Sequence, residues 1–163
     1  MKQPDLIIEQ FYQYATWLDM LAEKDETFMY EPIEEGKWSV AEIIAHITKW
    51  DEHLLEVVLP AVRSGEGMTF PDFEPFNRQA SDYAASGISL AELLAHAKSA
   101  RRLLVKELKE MPLNQLTLML PSNGETHCPF TGTPYSLLYV VEEFIQHDHH
   151  HQRQVMQFLQ QHV

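Results

Sequence analysis

The sequence predicts an all-α protein, an antiparallel four-helix bundle with one long, elaborated crossover. Four segments place apolar residues at steps of three and four, as amphipathic helices do, and no run alternates apolar with polar residues as a half-buried strand does. The 163 residues, of which 45% are hydrophobic, fit one domain spanning residues 1–163. A helix of about 25 residues is about 37 Å long, so such a bundle can hold a site in its interior.

The first two helices are predicted from their apolar spacing and from one capping signal. Helix one runs from Leu6 to about Met29. Helix two starts at Ser39, which forms a capping box with Glu42, because each side chain accepts a hydrogen bond from the other residue's free backbone N–H. We expect helix two to end at Pro60, since proline removes a helical hydrogen bond and clashes with the preceding turn.

A crossover and a third long helix are predicted for the middle of the chain. Residues 68–87 contain two prolines, which indicates a loop that holds one short helix at about residues 76–85. Ser89 and Glu92 form a second capping box. Helix three therefore runs from about Ser89 to Met111.

The last part of the chain is predicted to be an ordered loop followed by helix four. Residues 112–132 contain three prolines and two glycines and indicate a loop that covers part of the bundle. Thr133 and Pro134 match an N-cap followed by proline at the first helical position. The apolar stripe of helix four then consists of Leu138, Val141, Phe144, Ile145, Val155, Phe158 and Leu159.

Charge and cysteine content exclude several classes of function. The net charge of −12 repels a phosphate backbone, so we expect no nucleic-acid partner. Cys128 is the only cysteine, which excludes an intrachain disulfide framework and a cysteine-rich zinc site. The chain has neither a secretory signal pattern nor a run of about 20 apolar residues. We therefore expect a cytoplasmic protein with no membrane partner.

Four histidines lie within five residues, at positions 147, 149, 150 and 151. Clustered imidazoles indicate metal binding unless they belong to a purification tag. A tag lies at a disordered terminus, whereas Val155, Phe158 and Leu159 continue the apolar stripe beyond these histidines. The cluster is therefore predicted to be part of a folded helix.

Helical periodicity selects two of these four histidines. Steps of three, four, four and three lead from Phe144 through His147, His151 and Val155 to Phe158, so these residues share one face. Two imidazoles at positions i and i+4 leave the same surface one turn apart and can bind one ion. His147 and His151 are therefore predicted metal ligands.

A catalytic zinc ion usually has three protein ligands, so a third residue is needed. His149 and His150 are turned away from the ligand face, since each residue rotates by about 100°, and we expect them to be solvated or to support the ligands. His46 is the candidate, because it flanks the apolar stripe of helix two between Ile43 and Trp50. The spacing leaves open the alternative that His46 is a core histidine bonded to a backbone carbonyl.

The histidine pattern and the start of helix two resemble the DinB-like superfamily over nearly the whole chain. Helix two opens with WSVAEIIAH at residues 38–46, and helix four carries H-x-x-x-H at residues 147–151. Family members often read H-R-G-Q after the last ligand, where residues 151–154 here read HQRQ. Residues 72–79, which include Phe-Asn-Arg, are also similar to the short family segment between the second and third helices.

The resemblance implies a divalent metal, commonly zinc or nickel, bound by His46, His147 and His151. Characterised relatives include thiol S-transferases and isomerases that use low-molecular-weight thiols such as bacillithiol or mycothiol. Three neutral imidazoles leave the charge of the ion uncompensated, so an incoming thiol or water is acidified. The leading hypothesis is therefore activation of a low-molecular-weight thiol for S-transfer to a small electrophile.

Two other functions fit the same residues. One is a metal-dependent hydrolase that uses an activated water. The other is a non-catalytic, metal-stabilised binding or stress-response module, in which the ion only ties helix two to helix four. The sequence has neither an HEXXH motif nor a recognisable Ser-His-Asp order, so a classical metalloprotease or serine hydrolase is not indicated.

Three further residues are candidates for binding a small-molecule substrate. Trp50 lies one turn beyond His46, and Asn77 and Arg78 lie in the crossover, where an arginine would pair with a substrate carboxylate. The alternatives are that Trp50 is a core residue and that Arg78 is a solvated surface group. No catalytic residue is assigned. Exposed apolar helix faces also predict a homodimer.

Overall fold

The computed structural model describes residues 3–161. The α-helices of this part of the chain are α1 (Gln3–Trp17), α2 (Glu26–Met29), α3 (Val40–His53), α4 (Leu59–Arg63), α5 (Phe73–Ala84), α6 (Leu90–Glu110), α7 (Leu113–Leu116) and α8 (Leu137–Gln161). A 3₁₀ turn, Leu18–Leu21, follows α1, and a π-helical segment, Leu54–Val58, joins α3 to α4.

Four long helices form the bundle. Helix α1 packs against α6 and α8, α3 also packs against α6 and α8, and the crossover helix α5 lies on α3. Residues 3–161 contain no β-strand, and the loops pair only through isolated bridges. The prediction of an all-α four-helix bundle is confirmed. Within the described residues, no helix is both long enough and apolar enough to span a lipid bilayer.

Helix one is shorter than predicted. It ends at Trp17, and the chain turns after Leu21 before the short helix α2 begins, so the prediction of one helix reaching about Met29 is wrong. Asp25 has an extended backbone, and its carboxylate accepts a hydrogen bond from the backbone N–H of Phe28 at 3.0 Å. An aspartate in this position starts a new helix, because it satisfies an N–H that has no helical partner.

Both predicted capping serines lie where the long helices begin. At the start of α3, the Ser39 hydroxyl accepts from the Glu42 backbone N–H at 3.0 Å, and the Glu42 carboxylate accepts from the Ser39 N–H at 3.1 Å. At the start of α6, the Ser89 hydroxyl accepts from the Glu92 N–H at 3.1 Å. The predicted start of helix two and the predicted helix three are therefore confirmed.

Replacing Ser39 with alanine is expected to lower the free energy of unfolding by about 1 kcal/mol, since the first turn of α3 loses its cap. The midpoint of urea unfolding, followed by circular dichroism, measures this loss. Glu42→Gln is the matched control, because glutamine also serves in a capping box. An equal loss in both variants would contradict the role of the hydroxyl.

The second bundle helix continues through Pro60, so the prediction that it ends there is wrong. Helix α3, the π-helical segment and α4 follow one another without a break as far as Arg63. The Leu59 N–H donates to the carbonyl of Leu54, five residues back, in a widened turn just before the proline. Such a π turn accommodates a proline that a regular α-helical turn would exclude.

The chain crosses between long helices twice, at residues 64–89 and at residues 111–136. The first crossover contains the predicted short helix, and the second contains the predicted ordered loop. Helix α5 starts three residues before the predicted position and ends one residue before its predicted end. Residues 112–132 form a loop that contains the short helix α7. The Met68 N–H donates to the Pro121 carbonyl at 2.8 Å, so the two crossovers are joined to each other.

Helix four begins at Leu137 and not at Pro134, so the predicted cap is wrong. Thr133 and Pro134 belong to the loop instead, because the Thr133 carbonyl accepts from the Cys128 N–H at 2.9 Å and Pro134 forms an isolated bridge. Ser136 supplies the cap. Its hydroxyl accepts at 3.1 Å from the backbone N–H three residues later. Pairing within the loop therefore competes successfully with the local helix-start signal.

The core consists of two apolar clusters separated by a level of buried charge. One cluster includes Phe11, Leu54, Leu104, Val141 and Ile145. The other includes Tyr14, Ile47, Ala97, Val155 and Phe158. Asp51, Arg101 and Asp148 are buried between them.

Candidate metal centre

Three histidines from two helices meet inside the bundle. His46 lies on α3, and His147 and His151 lie one turn apart on α8. The Nε2 atom of His147 is 3.0 Å from that of His46 and 3.1 Å from that of His151. His46 and His151 are buried, and His147 is half-buried. The structure thus brings together the three residues that the sequence assigns to one site.

Side-chain amides orient two of the three rings. The Asn77 Oδ1 atom, on α5, accepts a hydrogen bond from His46 Nδ1 at 2.9 Å, and the Gln154 Oε1 atom accepts from His151 Nδ1 at 2.7 Å. Because Nδ1 is the donor in both rings, each Nε2 carries a lone pair directed at the other imidazoles. The Nδ1 atom of His147 is buried, and no described residue forms a hydrogen bond with it.

Burial keeps the three imidazoles neutral. Desolvation, with a further contribution from neighbouring imidazoles, lowers the pKa of His46 to about 4 and that of His147 to about 3. Desolvation also lowers the pKa of His151, although its hydrogen bond to Gln154 opposes the shift. Neutral imidazole is the form that binds a metal.

The donor set fits a divalent transition metal. Imidazole nitrogens suit zinc and nickel. Two nitrogen ligands at about 2.0–2.1 Å from a tetrahedral zinc ion lie about 3.3 Å apart, close to the observed Nε2 separations of 3.0 and 3.1 Å. The three ligand atoms all lie within 4.8 Å of one another, as in a group of side chains that could hold one metal ion. His46, His147 and His151 are therefore the residues that would hold the ion.

Replacing Asn77 or Gln154 with alanine is expected to weaken zinc binding by about 10- to 100-fold, because each change releases the Nδ1 atom of one ligand. Competition with a chromophoric zinc chelator measures the affinity. Gln152→Ala is the matched control for the change on α8, since Gln154 and not Gln152 accepts the hydrogen bond from His151 Nδ1. Wild-type affinity in both test variants would contradict the orienting role.

A cavity of about 600 Å³ opens beside the histidines. Its walls are mainly aromatic and include Trp38, Trp50, Phe70, Phe73 and Phe144. Trp50 is only 5% exposed, so this residue belongs both to the core and to the cavity wall. A small molecule with an apolar or aromatic body fits such a cavity.

Asn123 joins the two crossovers at the rim of the cavity. Its Oδ1 atom accepts from the Phe70 N–H at 2.7 Å, its Nδ2 atom donates to the Phe70 carbonyl at 3.2 Å, and its own N–H donates to the Met68 carbonyl at 2.9 Å. Asn123 has a φ of 49°, a left-handed conformation that asparagine tolerates better than most residues. These bonds hold Phe70 at the cavity wall.

Comparison with known proteins identifies the family. The model of the DinB superfamily matches residues 12–155. The chain belongs to the DinB superfamily. Among solved structures, the chain is similar to YfiT from Bacillus subtilis, with a TM-score of 0.73 at 13% identity. The alignment covers 99% of this chain and 89% of that chain. YfiT is described as a probable metal-dependent hydrolase with an unusual four-helix bundle topology. This likeness shows the fold. No curated protein matches the chain.

In this DinB-superfamily chain the predicted substrate residues lie at different places. Trp50 and Asn77 line the cavity beside the histidines. Arg78 instead lines a neighbouring depression, is largely exposed, and forms an ion pair with Glu74 at 3.6 Å. Substrate binding by these three residues stays a prediction.

The other histidines differ in their surroundings. His149 and His150 are both exposed, but His150 lines the cavity, and its ring centroid is 5.2 Å from that of His151. His53 donates from Nε2 to a backbone carbonyl of the first crossover at 2.7 Å. His162 lies outside the described residues. A backbone carbonyl thus binds His53, which is the arrangement that the sequence left open for His46.

Gln154 and Arg101 are among the contributors to the site that the sequence did not predict. Gln154 lies three residues after His151, and the i, i+3 spacing is the signal that could have identified it. Arg101 interrupts the buried stripe of α6 between Ala97 and Leu104. A charged residue in a core position indicates a buried ion pair.

Arg101 uses all five of its N–H donors. It binds Asp51 through Nε at 2.9 Å and Nη2 at 3.0 Å, and Asp148 through Nη1 at 2.9 Å and Nη2 at 3.2 Å. Nη1 also donates to the Phe11 carbonyl at 2.7 Å. Because Asp148 directly follows His147, these bonds fix the rotation of α8 at the metal centre.

Burial and the central guanidinium shift the pKa values of the two buried carboxyl groups in opposite directions. Burial raises the pKa of Asp51 to about 6 and raises that of Asp148, while Arg101 opposes both shifts. Burial by itself lowers the pKa of Arg101, but Asp148 and Asp51 raise it above its ordinary value. The guanidinium therefore remains protonated and donates hydrogen bonds to both carboxyl groups.

Proposed function

We propose that the protein is a divalent-metal-dependent enzyme that acts on a small molecule bound in the aromatic cavity. The observation that carries this proposal is the convergence of three neutral imidazole Nε2 atoms, from His46, His147 and His151, beside an open cavity. A divalent ion such as zinc or nickel, when bound there, supplies Lewis-acid chemistry and acidifies water or a thiol at neutral pH.

The protein's own residues supply the ligands, their orientation and the binding surface. The three imidazoles are neutral and need not lose a proton before they bind the ion. Asn77 and Gln154 hold two of the rings in the tautomer that leaves Nε2 free. The aromatic wall provides a binding surface for the apolar part of a substrate.

The number of donors favours a catalytic site over a purely structural one. Among residues 3–161, the group of metal-binding side chains consists of His46, His147 and His151, with no fourth histidine, cysteine or carboxylate. Structural zinc sites usually have four protein ligands, whereas catalytic sites keep one position open. A metal-stabilised module without turnover is therefore less well supported.

Hydrolysis is the first candidate reaction, and thiol S-transfer is the second. The description of YfiT as a probable metal-dependent hydrolase supports the first. No lysine or arginine is among the described residues that line the cavity, so the carboxylates of an anionic low-molecular-weight thiol would have no cationic partner there. The DinB-like resemblance supports the second reaction.

Elemental analysis of untagged protein, purified without added metal, tests the metal. We expect about one equivalent of zinc or nickel per chain, and loss of this metal in the His46→Ala and His147→Ala variants. Absence of bound metal, together with no affinity on reconstitution, would contradict the proposal.

A thiol-dependence assay separates the two reactions. Metal-loaded protein is expected to hydrolyse some members of a panel of aryl esters and amides without added thiol, and His147→Ala is expected to be inactive. Turnover only with an added low-molecular-weight thiol and an electrophile would favour S-transfer. A metal-loaded protein that hydrolyses none of the esters and amides and transfers no thiol to the electrophile would favour the non-catalytic module.

A further inference from the structure

Building on the proposed function, we infer that the cavity selects a substrate with an aromatic or apolar body and a cationic group, and that Glu143 contacts the cationic group. Glu143 lines the cavity together with His147 and His151. It is distinct from the metal ligands, and neither the metal centre nor the bundle core requires a carboxylate at this position.

Glu143 is placed to contact the part of a substrate that lies away from the histidines. It precedes His147 by four residues on α8, so the two side chains leave the same helix face one turn apart. Four residues correspond to about 6 Å along the helix axis. A substrate that extends two or three carbon–carbon bonds beyond an aromatic ring can therefore reach from the Glu143 side chain to the His147 side chain.

Glu143 is an exposed residue at the cavity, and no lysine or arginine among the described residues is a cause of its pKa shift. Desolvation is the one cause that shifts its pKa, and the shift is upward. A neighbouring lysine or arginine would lower the pKa of this carboxyl. A partly desolvated carboxylate without a cationic neighbour attracts a cation more strongly than one in bulk water does.

The walls of the cavity favour the same class of substrate. Trp38, Trp50 and Phe73 line the cavity, and aromatic rings attract organic cations, tryptophan most strongly. No lysine or arginine of the described chain lines the cavity. The net charge of −12 also raises the local concentration of cations.

Three small probes of similar size test this inference, namely phenyltrimethylammonium, benzyl alcohol and benzenesulfonate. A quaternary ammonium cannot ligate a metal, so its binding reports on the cavity and not on the ion. Each probe is titrated into zinc-loaded and into metal-depleted protein at about pH 8, where histidines are neutral. Binding is followed by tryptophan fluorescence, since Trp38 and Trp50 both line the cavity.

Of the three probes, we expect the ammonium probe to bind the metal-depleted protein most tightly and the sulfonate to bind it most weakly. Glu143→Gln is expected to weaken ammonium binding about fivefold, as loss of a partly exposed ion pair does, and to leave benzyl alcohol binding unchanged. Glu142→Gln is the matched control. Glu142 is the adjacent residue and is exposed, as Glu143 is, but it does not line the cavity, and its replacement changes the net charge equally.

Three results would overturn the inference. The first is an equal loss of ammonium binding in the Glu142 and Glu143 variants, which would assign the preference to overall charge. The second is sulfonate binding as tight as ammonium binding in metal-depleted protein. The third is no measurable binding of any probe. The probe titrations that decide this inference use metal-depleted protein. If elemental analysis finds no bound metal and the probes still bind as expected, only the proposed function is overturned.

Discussion

The His147→Ala variant is expected to lose most of the metal affinity of the protein. The Nε2 atom of His147 lies 3.0 Å from that of His46 and 3.1 Å from that of His151, so this ring links the ligands of two helices. Its removal leaves two imidazoles to hold the ion. The loss should exceed the roughly 10- to 100-fold change that removal of a supporting hydrogen-bond partner causes. Titration of zinc against a chromophoric chelator measures it.

His149→Ala is the matched control for this prediction. His149 belongs to the same histidine cluster but is exposed and lies outside the group of metal-binding side chains. Its variant should bind zinc as the wild-type protein does. Equal losses of affinity in His147→Ala, His151→Ala and His149→Ala would contradict the assignment of ligands by helix face.

The Arg101→Met variant is expected to lose about 3–5 kcal/mol of unfolding free energy, because a buried ion pair has one partner removed. Arg101 is fully buried and forms hydrogen bonds with Asp51, Asp148 and the Phe11 carbonyl. Methionine fills similar space but leaves two buried carboxylates without a cation. Urea unfolding followed by circular dichroism measures the change.

Two further variants test the reason for this loss. Arg102→Met makes the same substitution at an exposed neighbour on α6 and should change stability little. The triple variant Asp51→Leu, Arg101→Met and Asp148→Leu should recover much of the stability, since an apolar cluster needs no compensating charge. Wild-type stability in Arg101→Met would contradict the importance of the network.

Three expectations from the sequence concern the protein beyond a single isolated chain. They are the homodimer, the cytoplasmic location and a low-molecular-weight thiol as a partner. Each stays a prediction. Sedimentation of the purified protein as a monomer would contradict the first, and the thiol-dependence assay addresses the third.

Local signals predicted the helix starts where no neighbouring segment competed for the same backbone groups. The capping serines Ser39 and Ser89 act within their own turns, so three residues of sequence are enough to identify them. At Pro134 the same kind of local signal failed, because loop pairing binds the backbone of Thr133. At Pro60 the local signal for a helix end failed, because a π turn accommodates the proline within the helix.

The sequence by itself determined the helical fold class and the face of α8 that carries His147 and His151, because helical periodicity depends only on residues a few positions apart. Only the tertiary structure decided that His46, 101 residues before His147, meets this pair. It also decided that Asn77 orients His46 across 31 residues and that Arg101 binds Asp51 across 50. Such contacts depend on which faces of separate helices pack together, and spacing within one helix carries no information about the rotation of the next.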